Sequence, residues 1–169
     1  MKPFRITPAT VEDAAALTGI AFAAKRHWGY PETWIHEWAG LLTITAEFVR
    51  EHPTFKAEDS TGVVGVAAIE VNGREALLVH LWVKPGAMGK GVGAALFAES
   101  ETATRVAGAM RLVVESDPNA EAFYRRMCAT KVGSVPASVH GVERYLPVLE
   151  KRLCQVTPFI SPVTVGPDC

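Results

Sequence analysis

Three alternating glycines, Gly89, Gly91 and Gly93, stand between an apolar run and the start of a helical pattern. Glycine lets the backbone approach a ligand without a Cβ atom in the way. The first turn of a helix adds unpaired N–H groups and the positive end of the helix dipole. Strand, glycine turn and helix together therefore predict a phosphate or pyrophosphate site, formed by Met88, Gly89, Lys90, Gly91, Val92, Gly93 and Ala94.

Two familiar phosphate-binding loops compete with this interpretation. A Walker A loop requires four residues between its first glycine and a Gly-Lys-Ser/Thr triplet, and the spacing from Gly86 to Gly89 rules it out. The dinucleotide pattern G-x-G-x-x-G/A does match at Gly89, Gly91 and Ala94, and Glu115 supplies an acidic residue after the next apolar run. A dinucleotide fold usually opens with this pattern, whereas about 80 residues precede it here. A dinucleotide-dependent oxidoreductase is therefore the less favoured alternative.

Two segments of the chain carry a family resemblance. The hexapeptide from Met88 to Gly93 is similar to a Gln/Arg-x-x-Gly-x-Gly/Ala motif, with Met88 in the place of Gln or Arg. Asn119 to Tyr124 is similar to an Asn-x-x-Ala-x-x-Phe-Tyr helix with a shortened Asn-to-Phe spacing, and Met127-Cys128-Ala129 replaces the Leu-Gly-Phe that usually follows. Both motifs, in this order, are those of the GCN5-related N-acetyltransferase (GNAT) family, which residues 4 to 150 resemble.

The resemblance implies an α/β fold of the GNAT acyl-CoA N-acyltransferase type, with a mixed central sheet, a splayed parallel strand pair and flanking helices. It implies an enzyme that moves an acetyl group from acetyl-CoA to a primary amine by direct attack, without a metal. The pantetheine arm is expected to pair with the backbone of Leu81, Trp82 and Val83, and Asn119 and Phe123 are expected to contribute to its binding. The alternative from a different class is a non-catalytic acyl-CoA-binding or sensing module.

Three residues are candidates for proton transfer. In the family, the tyrosine at the place of Tyr124 protonates the departing thiolate, and a phenol has a suitable pKa for this. His80 is the best-placed titratable group on the predicted central strand, although a buried, hydrogen-bonded histidine is the favoured interpretation. Glu115 is the other candidate base, or it only ends a strand. Asn119 is equally well explained as a helix cap.

An unusual aromatic segment runs from His27 to Trp38, with three tryptophans and a tyrosine. The residues after Pro31 are predicted to form a short helix with Trp34 and Trp38 on one face. Because family members place the acceptor near this first helical connection, Trp28, Tyr30 and Trp34 are expected to line the acceptor pocket, with His80 or Glu115 at its floor. Their π faces would suit a cation. Plain packing over the sheet is the other explanation.

The elements that must position these residues follow from apolar patterns and turn signals. The strongest turn signal is Asn72-Gly73, which predicts a hairpin. Predicted helices cover Thr10 to Lys25, Thr45 to Glu51, Gly91 to Ala107 and the residues from Asp117 to about Cys128. Predicted strands cover Phe4 to Thr7, Thr54 to Glu58, Val63 to Val71, Glu75 to Val83, Met110 to Glu115, Lys131 to Ser138 and Arg144 to Glu150.

The strand from Glu75 to Val83 is apolar on both faces, so it is predicted to be central in the sheet. Regular alternation puts Leu77, Val79, Leu81 and Val83 on one face, and Leu78, His80 and Trp82 on the other. The helical crossover after it makes this strand a parallel neighbour of the strand ending at Glu115.

Length and composition set the broad class. With 169 residues, 49% of them apolar, the chain is expected to form one domain over residues 1–153, followed by a tail over residues 154–169. A net charge of −1 gives little support for nucleic-acid binding, and no apolar run is long enough for a membrane span. Three cysteines without metal spacing favour a cytoplasmic location. The resemblance also allows a homodimer, because family members are often dimers.

Overall fold

The computed structural model describes residues 3–154, which form one sheet with helices on both faces. The strands are β1 (Arg5–Pro8), β2 (Thr54–Asp59), β3 (Gly62–Asn72), β4 (Glu75–Val83), β5 (Arg111–Glu115), β6 (Thr130–Pro136) and β7 (Tyr145–Arg152). The helices are α1 (Ala14–His27), α2 (Glu32–Glu37), α3 (Ala39–Leu42), α4 (Ala46–Glu51), α5 (Val92–Val106) and α6 (Glu121–Arg126). The predicted tail lies outside the described residues, apart from Cys154.

The sheet has the order β1-β2-β3-β4-β5-β7-β6, and only β4 and β5 run parallel. The Asn72-Gly73 turn joins β3 and β4 as predicted, and Gly73 has a φ of +61°, which the turn requires. This arrangement confirms the predicted α/β fold with its single parallel pair. No helix within residues 3–154 is long and apolar enough to cross a membrane.

Strands β4 and β5 stay paired over only three residue positions. The register runs from Glu75 opposite Arg111 to Leu77 opposite Val113 and then ends. Beyond that point the two strands separate, while β5 continues to pair with β7 on its other side. Within residues 3–154, the part of β4 from Leu78 to Val83 therefore has no strand partner on the side that faces β5. This is the predicted splay.

Helices α5 and α6 cover one face of the sheet, and α1 to α4 cover the other. The first face holds the larger core, built around Leu96, Phe97, Leu112 and Tyr124. On the second face Leu17 and Ile20 of α1 pack against Val66. Thr45 caps the start of α4, since its side chain accepts a hydrogen bond of 3.0 Å from the Phe48 N–H.

The predicted alternation along β4 is wrong at one point. Ala68 pairs with His80 and Ile69 pairs with Leu78, so Val79 is an extra residue in β4, a β-bulge. The bulge moves the residues beyond it to the opposite faces. Leu78 therefore shares the α5 side with Leu81 and Val83, whereas His80 and Trp82 face the α1 side.

Candidate active site between the splayed strands

A cleft of about 590 Å³ opens where β4 and β5 separate. Its walls come from the splayed strands, the glycine loop, the start of α6 and the end of α1. Most residues that the sequence assigned to cosubstrate binding line it: Leu81, Trp82, Val83, Met88, Gly89, Gly91, Gly93, Ala94, Asn119 and Phe123. Lys90 is exposed outside the cleft wall, and Val92 is buried in the core.

The glycine loop has a backbone that other residues rarely adopt. Gly89 and Gly91 have φ values of +74° and +83°, in the left-handed region that favours glycine. A Cβ at Gly93 would lie 3.3 Å from the ring of Phe123, which ties the loop to α6. The first hydrogen bond of α5 runs from the Ala95 N–H to the Gly91 carbonyl, at 3.1 Å. The N–H groups before Ala95 are therefore not used by the helix and suit an anion.

Tyr124 and Glu115 both line this cleft. Tyr124 is buried in the core under α6, and its hydroxyl makes no hydrogen bond to any residue of the described chain. Burial, reinforced by the negative charge of Asp117, raises the pKa of Tyr124. Glu115 ends β5 with an exposed side chain. The cleft thus contains a phenol that keeps its proton and a carboxylate that is open to solvent.

His80 does not line the cleft. It is 4% exposed and lies on the α1 side of the sheet, where its ring packs edge-to-face with the ring of Phe48 at a centroid distance of 5.3 Å. Its Nδ1 accepts a hydrogen bond of 3.1 Å from the indole N–H of Trp82. Burial lowers the pKa of His80 to about 4. The structure therefore places His80 as the buried, hydrogen-bonded histidine that the sequence favoured, away from the floor of the cleft.

Residues 12–143 match the acetyltransferase (GNAT) domain family. The chain belongs to this family. No curated protein sequence matches the chain significantly, but many solved structures share its fold. A GCN5-related N-acetyltransferase from Rhodopseudomonas palustris is 24% identical, with a TM-score of 0.74, over 88% of this chain and 95% of that chain.

Two further solved structures contain coenzyme A or its acetyl form. PaiA N-acetyltransferase from Thermoplasma acidophilum, in complex with coenzyme A, is 18% identical with a TM-score of 0.69, over 88% of this chain and 98% of that one. The yncA protein from Salmonella typhimurium, solved with its cofactor acetyl-CoA, is 19% identical with a TM-score of 0.66, over 90% of this chain and 95% of that one. At these identities the likeness concerns the GNAT fold.

The aromatic segment of this GNAT domain is arranged differently from the expectation. Trp28 lines the cleft beside Ala24, but Tyr30 and Trp34 lie outside its wall. The ring of Tyr30 stacks on that of Trp34 with a centroid distance of 5.9 Å, and it packs in a T-shaped arrangement with Trp38 at a centroid distance of 5.1 Å. We call Tyr30, Trp34 and Trp38 the aromatic cluster.

The protein's own cations occupy the faces of the aromatic cluster. The ammonium of Lys25 lies 4.3 Å from the Trp38 ring and 4.8 Å from the Tyr30 ring. The guanidinium of Arg144 lies 4.9 Å from Trp38 and 5.1 Å from Tyr30. The expected π faces for a cation are thus present, but Lys25 and Arg144 fill them.

Asp117 joins these cations to the cleft. Its carboxylate accepts a 2.5 Å hydrogen bond from Lys25, and both side chains are about nine-tenths buried. Burial alone would raise the pKa of Asp117, but the charge of Lys25 and hydrogen bonds from Lys25, the Asn119 backbone and Tyr30 outweigh it, so its pKa is lowered. Burial and the nearby Arg144 lower the pKa of Lys25, which Asp117 opposes.

This ionic network was not predicted, although the sequence contains two signals of it. Leu17, Ile20, Ala21, Ala24 and Lys25 lie on one face of α1, and all are buried. A lysine on the buried face of a helix needs a buried partner. Asp117-Pro118 at a helix start is a capping signal, and Asp117 does accept from the Asn119 N–H at 2.9 Å. Within residues 3–154, no group of His, Cys, Asp and Glu side chains is arranged to hold a metal ion.

Proposed function

We propose that this GNAT domain is an N-acetyltransferase that moves an acetyl group from acetyl-CoA to a primary amine by direct attack. One observation carries the proposal: the glycine loop and Tyr124 line the same cleft between the splayed strands. The loop that would hold the phosphates and the hydroxyl that would donate a proton therefore share one ligand-sized space.

The cleft residues fit the cosubstrate in two respects. The N–H groups of the glycine loop before Ala95 make no hydrogen bond within the helix, and the positive end of the helix dipole at this point favours an anion such as a pyrophosphate. Among the described strands, none pairs with the backbone of Leu81 and Val83 on the β5 side. An extended arm with amide groups can pair there like an added strand.

When bound, acetyl-CoA supplies the acetyl thioester, and the residues around it handle protons. A free alkylamine has a pKa near about 10, so it must lose a proton before it can attack. Glu115, the exposed carboxylate of the cleft, accepts that proton directly or through water. As the nitrogen–carbon bond forms and the carbon–sulfur bond breaks, Tyr124 gives its proton to the departing thiolate, and the second proton that the attacking nitrogen loses restores the Tyr124 hydroxyl, directly or through water. His80 is given no role, because it is buried and does not line the cleft.

The proposal is tested with purified protein, acetyl-CoA and a panel of primary amines, with free thiol release as the readout. We expect thiol release with at least one amine. The Gly91→Asp variant should neither bind acetyl-CoA nor release thiol. That change puts a side chain and a negative charge against the pyrophosphate. Gly108→Asp is the matched control, since Gly108 has a similar φ of +79° at the other end of α5.

Two results would contradict the proposal. Unchanged acetyl-CoA affinity in a folded Gly91→Asp variant would remove the loop from the binding site. Tight binding of acetyl-CoA with no thiol release for any amine in the panel would instead favour the acyl-CoA-binding or sensing module.

A further inference from the structure

The Tyr30 hydroxyl is saturated with hydrogen bonds at a point between the aromatic cluster and the cleft. It donates to the carboxylate of Asp117, whose oxygens lie 3.0 and 3.1 Å away. It accepts from Nδ2 of Asn119 at 3.0 Å and from the guanidinium of Arg144 at 3.1 Å. A phenol has one proton and two lone pairs, so this hydroxyl has no capacity left.

These contacts fix which way the Asn119 carboxamide points. Its Nδ2 donates one hydrogen to the Tyr30 oxygen and the other to Oδ1 of Asp117, both at 3.0 Å. A flipped carboxamide would set its own oxygen against the Asp117 carboxylate, where two acceptors repel each other. The amide oxygen of Asn119 therefore remains as the free group of a side chain that lines the cleft.

The hydroxyl of Tyr30 is itself held in place by its ring. The ring packs against Trp34 and Trp38, with Lys25 and Arg144 over its faces. Burial and the charge of Asp117 raise the pKa of Tyr30 to about 12, so its proton stays on the hydroxyl. The aromatic cluster thus sets the position of a hydroxyl that in turn sets the orientation of Asn119.

We infer that Tyr30 is a positioning residue for the cosubstrate: through its hydroxyl it holds the Asn119 carboxamide with the oxygen available to an N–H group of the pantetheine arm. The inference rests on the proposed use of acetyl-CoA. It gives the aromatic segment a role behind the cosubstrate site, distinct from the wall of an acceptor pocket. Neither Tyr30 nor the cluster needs to touch the ligand for this.

A double-mutant cycle on acetyl-CoA affinity tests the inference, with calorimetry on Tyr30→Phe, Asn119→Ala and the double variant. Tyr30→Phe keeps the ring and removes only the hydroxyl. We expect it to raise the acetyl-CoA Kd about fivefold to tenfold, the usual effect of losing one neutral hydrogen bond. In the Asn119→Ala background the same change should alter the Kd less than twofold, because the group that Tyr30 positions is gone.

Tyr145→Phe is the matched control, since Tyr145 is 58% exposed on β7 and outside the cleft wall. Its Kd should equal that of the unmodified protein, and melting temperatures identify any variant that fails to fold.

An independent readout follows the Asn119 side chain directly. The sequence contains two asparagines, Asn72 and Asn119, so selective ¹⁵N-asparagine labelling gives two side-chain NH₂ signals in NMR. In the unmodified protein the Asn119 protons should exchange slowly with water, because both are hydrogen-bonded. Tyr30→Phe should release one of them, while the Asn72 signal serves as the internal reference.

The outcomes separate this inference from the proposed function. If Tyr30→Phe leaves the Kd unchanged, or weakens binding equally with and without Asn119, Tyr30 does not act through Asn119 and the inference is wrong. In that case the proposed acetyl-CoA site stands. If the unmodified protein binds neither coenzyme A nor acetyl-CoA, both the proposed function and the inference are overturned.

Discussion

The Tyr124 hydroxyl is the single group on which the proposed chemistry depends most. It is buried, it lines the cleft, and burial together with Asp117 raises its pKa, so at neutral pH it holds the proton that the proposed step requires. Because the hydroxyl has no partner among the described residues, Tyr124→Phe should fold normally and keep its acetyl-CoA affinity. Turnover should fall by about 10² to 10⁴, the range of general acid–base catalysis. The measurement is the rate of thiol release at saturating acetyl-CoA.

The exposed Tyr145 again supplies the control, because Tyr145→Phe should leave turnover unchanged. Full activity in Tyr124→Phe would mean that water or another group protonates the thiolate.

His80 makes a prediction about stability, which does not depend on the enzyme's substrate. Its pKa is lowered from 6.5 to about 4 by burial. Between pH 6.5 and pH 4, His80 is protonated in the unfolded chain but neutral in the folded protein. The free energy of unfolding is therefore highest above pH 6.5 and decreases as the pH falls toward 4. Between pH 7 and pH 5 the loss should be about 2 kcal/mol.

Urea unfolding at pH 7 and at pH 5 measures this loss. His80→Gln should remove most of the difference between the two pH values, whereas His36→Gln, at an exposed histidine on α2, should not. An unchanged pH dependence in His80→Gln would assign the acid sensitivity to other groups.

At the scale of elements, the Lys25–Asp117 ion pair ties the end of α1 to the turn that follows β5. Both side chains are about nine-tenths buried. Lys25→Met leaves the Asp117 carboxylate buried with only the more distant Arg144, 4.0 Å away, to balance it. We expect a loss of about 3 kcal/mol, at the lower end for a broken buried pair. Denaturant unfolding at neutral pH measures it.

The adjacent residue provides the comparison. Arg26 pairs with Glu32 on the surface, so Arg26→Met should cost less than about 1 kcal/mol. Adding Asp117→Asn to Lys25→Met should recover part of the lost stability, since it removes the unpaired charge. If Lys25→Met were as stable as Arg26→Met, the pair would not hold the two elements together.

Elements set by local signals are the ones that the sequence predicts well. The Asn72-Gly73 hairpin, the helix after the glycine loop and the parallel β4–β5 pair each follow from residues close in the chain. The bulge at Val79 does not, because nothing local in the run from Leu77 to Val83 marks an extra residue. It arises from pairing with β3, and without it Leu78 and His80 would share a face.

Candidate-site residues divide along the same line. The positions of the glycine loop and Tyr124 along the cleft were predictable, because each lies in a motif with a defined element around it. The places of Tyr30 and Trp34 were not, since their partners Lys25, Asp117 and Arg144 are brought together only by tertiary packing. An aromatic segment indicates π faces, but the sequence does not tell whether a ligand or the protein's own cation covers them.

At the scale of the whole molecule, the splay leaves the sheet weakly joined at its centre. Strands β1 to β4 form one half and β5, β7 and β6 the other, and the halves share only three paired positions between β4 and β5. The cleft between them is lined by both halves, with Leu81 and Val83 on one side and Val114 and Glu115 on the other. A ligand in the cleft should therefore stabilise the entire fold.

Thermal unfolding with coenzyme A, acetyl-CoA or NADH measures this coupling. At a ligand concentration of about 100 times Kd, binding to the folded state adds about 2.7 kcal/mol of stability. For a chain of this size that should raise the melting temperature by about 5 to 11 °C. Coenzyme A and acetyl-CoA should both produce the shift, while NADH should not, because the glycine pattern lacks the βαβ units of a dinucleotide fold. Gly91→Asp should abolish the shift, and Gly108→Asp should retain it. A shift with NADH that equals the one with acetyl-CoA would mean that the cleft selects only a pyrophosphate, and the acetyl-CoA assignment would lose its support.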